Sequence, residues 1–200
     1  GTSTCPCGAS VRCLKTAGAK FACWMPRVGR KPLSVKDSTT LTNKAPSLRF
    51  LLAHPAHLVA CGLGSGLSPF APGTVGTLFA WGSFLLLRPW LNEVEMGGLL
   101  ALSFVIGIFA VHKTGRDLGV CDHGSIVWDE VVPFWAVLFF CPPGWLWQGA
   151  AFLLFRLFDI TKPQPARYFD EKVKNGFGVM MDDVVAAAYT LLVLALLRLL

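Results

Sequence analysis

Charge is what this sequence has least of. Only 15% of its 200 residues are Asp, Glu, Lys or Arg, against about 25% in an ordinary soluble domain. Hydrophobic residues make up 54%. That excludes disorder for the chain as a whole and argues against an ordinary cytosolic domain. Acids are nearly absent from the front. Residues 1–50 hold nine Lys/Arg and one acid, Asp37, whereas residues 51–200 hold nine Lys/Arg and eleven Asp/Glu. The net charge of +6 therefore belongs to the front end. A nucleic-acid protein carries its basic surface on the folded part, so the pattern argues for no nucleic-acid partner. The front also lacks a continuous apolar run of about 7–15 residues, which excludes a secretory signal. Unbroken runs of about 20 apolar residues, the length of a spanning helix, are missing too. Residues 96–111 give sixteen without charge, 184–197 give fourteen, and 131–155 reach twenty-five only across Pro142-Pro143-Gly144.

Several chemistries fall by what is not there. The glycine-rich loop has no G-K-[ST], so it is not a P-loop, and no strand precedes it, so it is not a dinucleotide fingerprint. No Cys is followed six positions on by Arg, no D-x-D pair occurs, and no K-x6-R-P run occurs. Those absences set aside the cysteine phosphatases, the haloacid-dehalogenase nucleophile and the membrane histidine-type lipid phosphatases. G-x-S-x-G is absent as well, which removes the commonest serine-hydrolase elbow. The seven cysteines are an odd number. Cys5, Cys7, Cys13 and Cys23 do not match structural zinc spacings, and Cys61, Cys121 and Cys141 read as buried reduced thiols.

What is present divides the chain in two. Residues 1–46 are rich in Gly, Ser, Thr, Pro, Lys and Arg without a sustained period. They read as a basic, cysteine-containing disordered extension, with a transit-peptide-like composition. The body, residues 47–200, begins near Ser47. LRFLLAHPAHLVA (48–60) predicts a short helix broken at Pro55, and CGLGSGLSPFAPGTVGT (61–77) predicts a loop. Helices are expected over 75–91, 96–111, 126–141, 145–161 and 182–200. A polar stretch covers 112–125, and a loop with a helical turn near Tyr168–Lys174 covers 163–181. Long runs rich in Leu, Ala and Phe favour helix over strand. The expected fold is therefore all-α: a compact, hydrophobic helical bundle, membrane-embedded or membrane-associated.

Nine of the eleven acids of the body gather in four places: Asp117 with Asp122; Asp129 with Glu130; Asp159, then Asp170 with Glu171; and Asp182 with Asp183. His112, Lys113, Arg116, His123, Arg156, Lys162 and Arg167 interleave. Apolar helices bring their ends together, so these clusters can converge on one polar face. Carboxylates at that density repel unless a cation sits among them, and hard oxygen ligands suit Mg2+. The competing reading is helix capping, since Asp129, Glu130, Asp182 and Asp183 are expected in first turns, where the helix dipole favours acids. The glycine loop likewise has two readings: an anion cradle with hydroxyls from Ser65, Ser68, Thr74 and Thr77, or a plain turn between helices. His123, between Asp122 and Gly124, is either a proton-transfer residue or an ordinary surface or core histidine.

Four segments in order carry a resemblance: the loop GSGLSPFAPGTVGT, DHGSIVWDE (122–130), FRLFDITKPQPARYFD (155–170) and GFGVMMDDVVAA (176–187). Together they resemble the phosphatidylglycerophosphatase A family over about residues 48–198, leaving out the front extension. The resemblance implies an all-α fold with a central helix surrounded by others. It implies an Mg2+-dependent phosphoric monoester hydrolase of phospholipid biosynthesis that turns phosphatidylglycerophosphate into phosphatidylglycerol and phosphate. It places that enzyme at the bacterial inner membrane, with the active site on the cytoplasmic side.

Carried over by motif, Asp129, Glu130, Asp159, Asp182 and Asp183 are expected to hold Mg2+. Ser65, Ser68, Thr74, Thr77, Lys162 and Arg167 are expected to hold the phosphate. Asp129, Glu130, Asp159, Lys162 and His123 form the expected catalytic set. Two other classes remain beside this one. A CDP-alcohol phosphotransferase-like enzyme would carry D-G-x2-A-R, which is absent. A non-enzymatic membrane or scaffold protein would carry dispersed acids that merely cap helices.

Overall fold

The structure is a computed structural model that describes residues 46–120, 123–166, 168, 173 and 175–199, with the backbone of residues 3–4, 10–14 and 22–24. Those last residues are three short strands, β1 Ser3–Thr4, β2 Ser10–Leu14 and β3 Ala22–Trp24, paired antiparallel in the order β1-β2-β3. The remainder of the extension expected over 1–46 lies outside the described residues, save residue 46.

The body is all-α. Its helices are α1 Leu48–Ala53, α2 Pro55–Ala60, α3 Pro72–Leu87, α4 Glu93–Leu118, α5 Trp128–Phe140, α6 Trp145–Thr161 and α7 Gly176–Leu199, with a 3-10 turn at Gly62–Leu67. Local chemistry sets the boundaries. Pro55 stands at the start of α2 behind an extended His54, whose Nδ1 accepts the Ala56 N–H at 3.1 Å, and this divides α1 from α2. Asn92 and Glu95 form a reciprocal capping box that opens α4, and Gly119 closes it at φ 77°.

Three expected boundaries are corrected. The loop expected over 61–77 gives way to helix at Pro72, because a proline at the first helical position is pre-set for α3. The polar stretch expected from 112 is helical to Leu118, and Lys113 and Asp117 pair across one turn at 2.7 Å. The last helix begins at Gly176, not at Asp182. The reason is a cap: the Gly178 N–H donates to Asn175 Oδ1 at 2.9 Å.

α5 is the central helix. Val131, Val132, Pro133, Phe134, Trp135, Val137 and Leu138 are all buried, so it is covered on every side. It packs against α2, α3, α4, α6 and α7. Phe134 meets Phe155 of α6 at 5.3 Å, and Trp128 meets Trp135 edge-on at 5.9 Å. Trp81 of α3 donates to Gln148 at the start of α6, whereas Thr77 of α3 lies by Arg156 through Glu130. Gly176 at the start of α7 packs on Ile108 and His112, late in α4. The starts of α3, α5 and α7 and the ends of α4 and α6 therefore meet at one end of the bundle.

Two helices, α4 and α7, are long and apolar enough to cross a membrane, with mean hydropathy 2.1 and 1.9 over their apolar windows. At 1.5 Å per residue they run roughly 36–39 Å, against a hydrocarbon core of about 30 Å. Only 28% of the α4 window is buried, and Leu102, Val105, Ile106 and Phe109 face outward. A core helix of a soluble protein would hide such a stripe, so the surface is consistent with membrane association.

Candidate active site

The shared helix end is where the charge sits. In α3, Gly73 brings the backbone against Glu130, so closely that a Cβ there would lie 2.1 Å from Glu130 Oε1. One turn on, the buried Thr77 Oγ1 lies 2.8 Å from Glu130 Oε2 and 2.9 Å from the Gly73 carbonyl. From α6, Arg156 Nη1 reaches Glu130 Oε2 at 2.5 Å and Asp159 Oδ2 at 2.7 Å. Where α6 ends, Lys162 takes a left-handed backbone (φ 41°) before Pro163. Its Nζ binds Asp182 Oδ2 of α7 at 2.7 Å.

Asp129, Asp182 and Asp183 are almost fully buried. The charges of Asp159, Asp182, Asp129 and Glu130 all reach Asp183. Asp129 Oδ1 accepts the Glu130 N–H at 3.2 Å, and Asp182 Oδ1 accepts the Asp183 N–H at 2.9 Å. Five carboxylates from three helices thus share one region with two cations. Carboxylates so arranged can hold a cation, and the cations can hold a phosphoryl group. Among the described residues, however, no three His, Cys, Asp or Glu already stand as a metal cluster.

A family model described as "Phosphatidylglycerophosphatase A" matches residues 58–198, which includes every residue just named. The chain belongs to the phosphatidylglycerophosphatase A family. It is 48% identical over 154 residues to "Phosphatidylglycerophosphatase A" of Haemophilus influenzae, covering 76% of this chain and 94% of that one. To the protein of the same name in Escherichia coli it is 44% identical over 142 residues, 69% of this chain and 80% of that one. To a "Putative phosphatidylinositol-3-phosphatase" of Bacteroides thetaiotaomicron it is 41% identical over 148 residues, 70% of this chain and 92% of that one. No solved structure matches.

Against the phosphatidylglycerophosphatase A motifs, the structure brings together Asp129, Glu130, Asp159, Lys162, Asp182, Asp183 and Thr77. His123 is buried in the turn before α5, and its Nδ1 accepts the Ser125 N–H at 3.1 Å. In the neutral ring that leaves Nε2 as the proton-bearing nitrogen. The glycine loop packs beneath this turn, where a Cβ on Gly66 would meet the Ser125 carbonyl at 2.1 Å. Ser65 donates to the Gly62 carbonyl and Ser68 to the Phe70 carbonyl, each at 2.8 Å, so both hydroxyls shape the loop itself. Thr74 is half-buried in the first turn of α3.

Arg167, Asp122, Asp170 and Glu171 lie outside the described residues. Asp117 belongs elsewhere: it pairs with Lys113 and with the buried His57, whose Nδ1 meets Thr114 Oγ1 at 3.1 Å.

Two residues at the centre of the site were missing from the expected set, Arg156 and Gly73. The signal for Arg156 was available: it is an arginine one turn ahead of Asp159 in an otherwise apolar helix. Nothing in a lone sequence links Gly73 to Glu130.

Proposed function

We propose that this chain is an Mg2+-dependent lipid phosphatase that hydrolyses phosphatidylglycerophosphate to phosphatidylglycerol and phosphate. The observation that carries the reading is the meeting of five acids and two cations at one end of an apolar bundle. Dispersed acids, as a scaffold would have, are not what the helices produce. The names of the Haemophilus and Escherichia relatives supply the substrate.

The donor set fits Mg2+ in chemistry and in charge. All five donors are carboxylates, and Arg156 and Lys162 leave most of their negative charge unbalanced. Asp129, Glu130, Asp159, Asp182 and Asp183 would hold the ion. When bound it would offset charge on the phosphoryl oxygens. The chain does the rest. Lys162, with Arg167, binds and orients the phosphate. Thr77 and Arg156 hold Glu130 in place. A carboxylate of the cluster handles the proton of the leaving glycerol alkoxide, to which His123 Nε2–H donates a hydrogen bond. Thr74, at the start of α3, adds a hydroxyl beside the helix N-terminus.

The same reading places the bundle in a bacterial inner membrane with the acid end on the cytoplasmic side. α2 reaches the end of α4 through His57 and Asp117, so the basic segment 1–50 joins the body at the acid end. An excess of Lys and Arg marks the cytoplasmic side of a membrane protein.

The test is phosphate release from phosphatidylglycerophosphate in mixed micelles, with Mg2+ and with excess EDTA. Release that chelation abolishes is expected. Full activity in EDTA removes the metal, and no release under either condition removes the phosphatase. A second reading has one observation behind it, the name of the Bacteroides relative. Faster release from phosphatidylinositol 3-phosphate than from phosphatidylglycerophosphate would favour it.

A further inference from the structure

Arg156 carries a role that no motif assigned to it. Its side chain is only 15% exposed, and a single nitrogen, Nη1, bridges Glu130 at 2.5 Å and Asp159 at 2.7 Å. Among the described residues its buried Nε has no hydrogen-bond partner. A guanidinium kept there for stability alone would satisfy that donor, because a buried donor without an acceptor loses its hydration for nothing. The arrangement instead ties one oxygen of each carboxylate. Thr77 holds that same Glu130 oxygen, Oε2, at 2.8 Å, and Oε1 lies in the space that a side chain on Gly73 would fill.

We propose that Arg156 is a positioning residue: it fixes Glu130 of α5 and Asp159 of α6 in one register, so that their remaining oxygens face a common ligand. This rests on the phosphatase reading above. Arg156 acts through the two carboxylates and touches neither phosphate nor leaving group. Its planar group matters more than its charge, since an ammonium at that position has a shorter reach and no fixed plane.

The informative variant is Arg156→Lys, which keeps the charge and loses the planar group. In the full-length chain in detergent, three quantities are measured: kcat and KM on phosphatidylglycerophosphate, the Mn2+ dissociation constant by electron paramagnetic resonance, and the thermal midpoint. Loss of a group that orients metal ligands costs about 10–100-fold in affinity or activity. We expect kcat to fall and the Mn2+ dissociation constant to rise by that factor, with KM moved by less than about twofold. Arg156→Gln should be no better than Lys.

A Lys variant with wild-type kcat and wild-type Mn2+ affinity overturns the proposal, as does a lowered midpoint alone. The Mn2+ measurement separates this idea from the one beneath it. If the wild-type chain hydrolyses neither lipid, the phosphatase reading fails, and the shift in Mn2+ binding between wild type and Arg156→Lys still decides the role of Arg156.

Discussion

Gly73→Ala adds one methyl group at the point where α3 meets Glu130. The new Cβ would stand 2.1 Å from Oε1, 2.9 Å from Cδ and 3.0 Å from Oε2. Ordinary contact begins near 3.4 Å, so the carboxylate must retreat by about 1 Å, and a misplacement of about 1 Å costs catalysis on the order of 100-fold. Glu130 cannot make that move and keep both Thr77 and Arg156. Stability should change much less. Alanine in a helix is better than glycine by about 0.5–1 kcal/mol, which offsets part of a weakened charged hydrogen bond worth about 1.5–3 kcal/mol. Gly82 provides the control in the same helix, because a Cβ there meets nothing within 4 Å. Gly82→Ala should keep full turnover and gain roughly 0.5–1 kcal/mol. The assay is phosphate release from phosphatidylglycerophosphate micelles beside thermal unfolding of the same preparations. If Gly73→Ala keeps half of wild-type turnover, the position of Glu130 does not matter and the site is wrongly drawn.

Asp129→Asn and Asp183→Asn each keep size and remove the charge a cation needs. Each should lose nearly all turnover while the protein still folds, and a variant with half the wild-type rate assigns that acid to structure. Lys162→Ala should lower turnover strongly if the ammonium acts on the phosphoryl group; unchanged turnover with a lowered midpoint would make Lys162 a partner of Asp182 and nothing more. Burial holds His57 below its ordinary value of 6.5, with Asp117 pulling the other way. The fold therefore prefers the neutral ring, and that stability is present above pH 6.5 and lost as pH falls through it toward the lower folded value. The midpoint should drop between about pH 7.5 and 5.5, and drop less in His57→Gln; equal drops in both proteins clear His57 of the effect.

The sequence was most legible where punctuation is strong. α6 runs over Trp145–Thr161, as expected, because Pro142-Pro143-Gly144 precedes it and Lys162-Pro163 ends it. It was least legible where polarity was taken for irregularity. His112, Lys113, Arg116 and Asp117 read as the start of a loop, yet they continue α4, since i,i+4 pairing supports a solvated helix end as well as apolar packing does. At the front of α7, Gly176-Phe177-Gly178 falls in the loop expected over 163–181. Asn175 caps the helix there, and the glycines are needed for close approach: a Cβ on Gly178 would lie 1.8 Å from the Val173 carbonyl. The acids of the site were visible from their density in an apolar body. Which partner each acid takes was not. Arg156 lies 26 residues from Glu130, and only the crossing of α5 and α6 brings them together. Nor can a sequence tell whether a loop serine turns outward to a ligand or inward to its own carbonyl, as Ser65 and Ser68 do.

The position of the α7 start bears on the capping reading of the acids. Asp129 and Glu130 do stand in the first turn of α5, so the helix dipole alone could account for them. Asp182 and Asp183 do not stand in a first turn, because α7 opens at Gly176 and no acid lies in its first turn. The dipole effect falls off within that turn. Both side chains are instead almost fully buried, where an ionised carboxylate costs several kcal/mol of lost hydration. Lys162 compensates one of them, but a pair of packed apolar residues would serve an apolar bundle better than a buried ion pair with a second acid beside it. Stability therefore does not explain why α7 turns two adjacent acids toward Asp129, Glu130 and Asp159. The proposed cation site at that end of the bundle would.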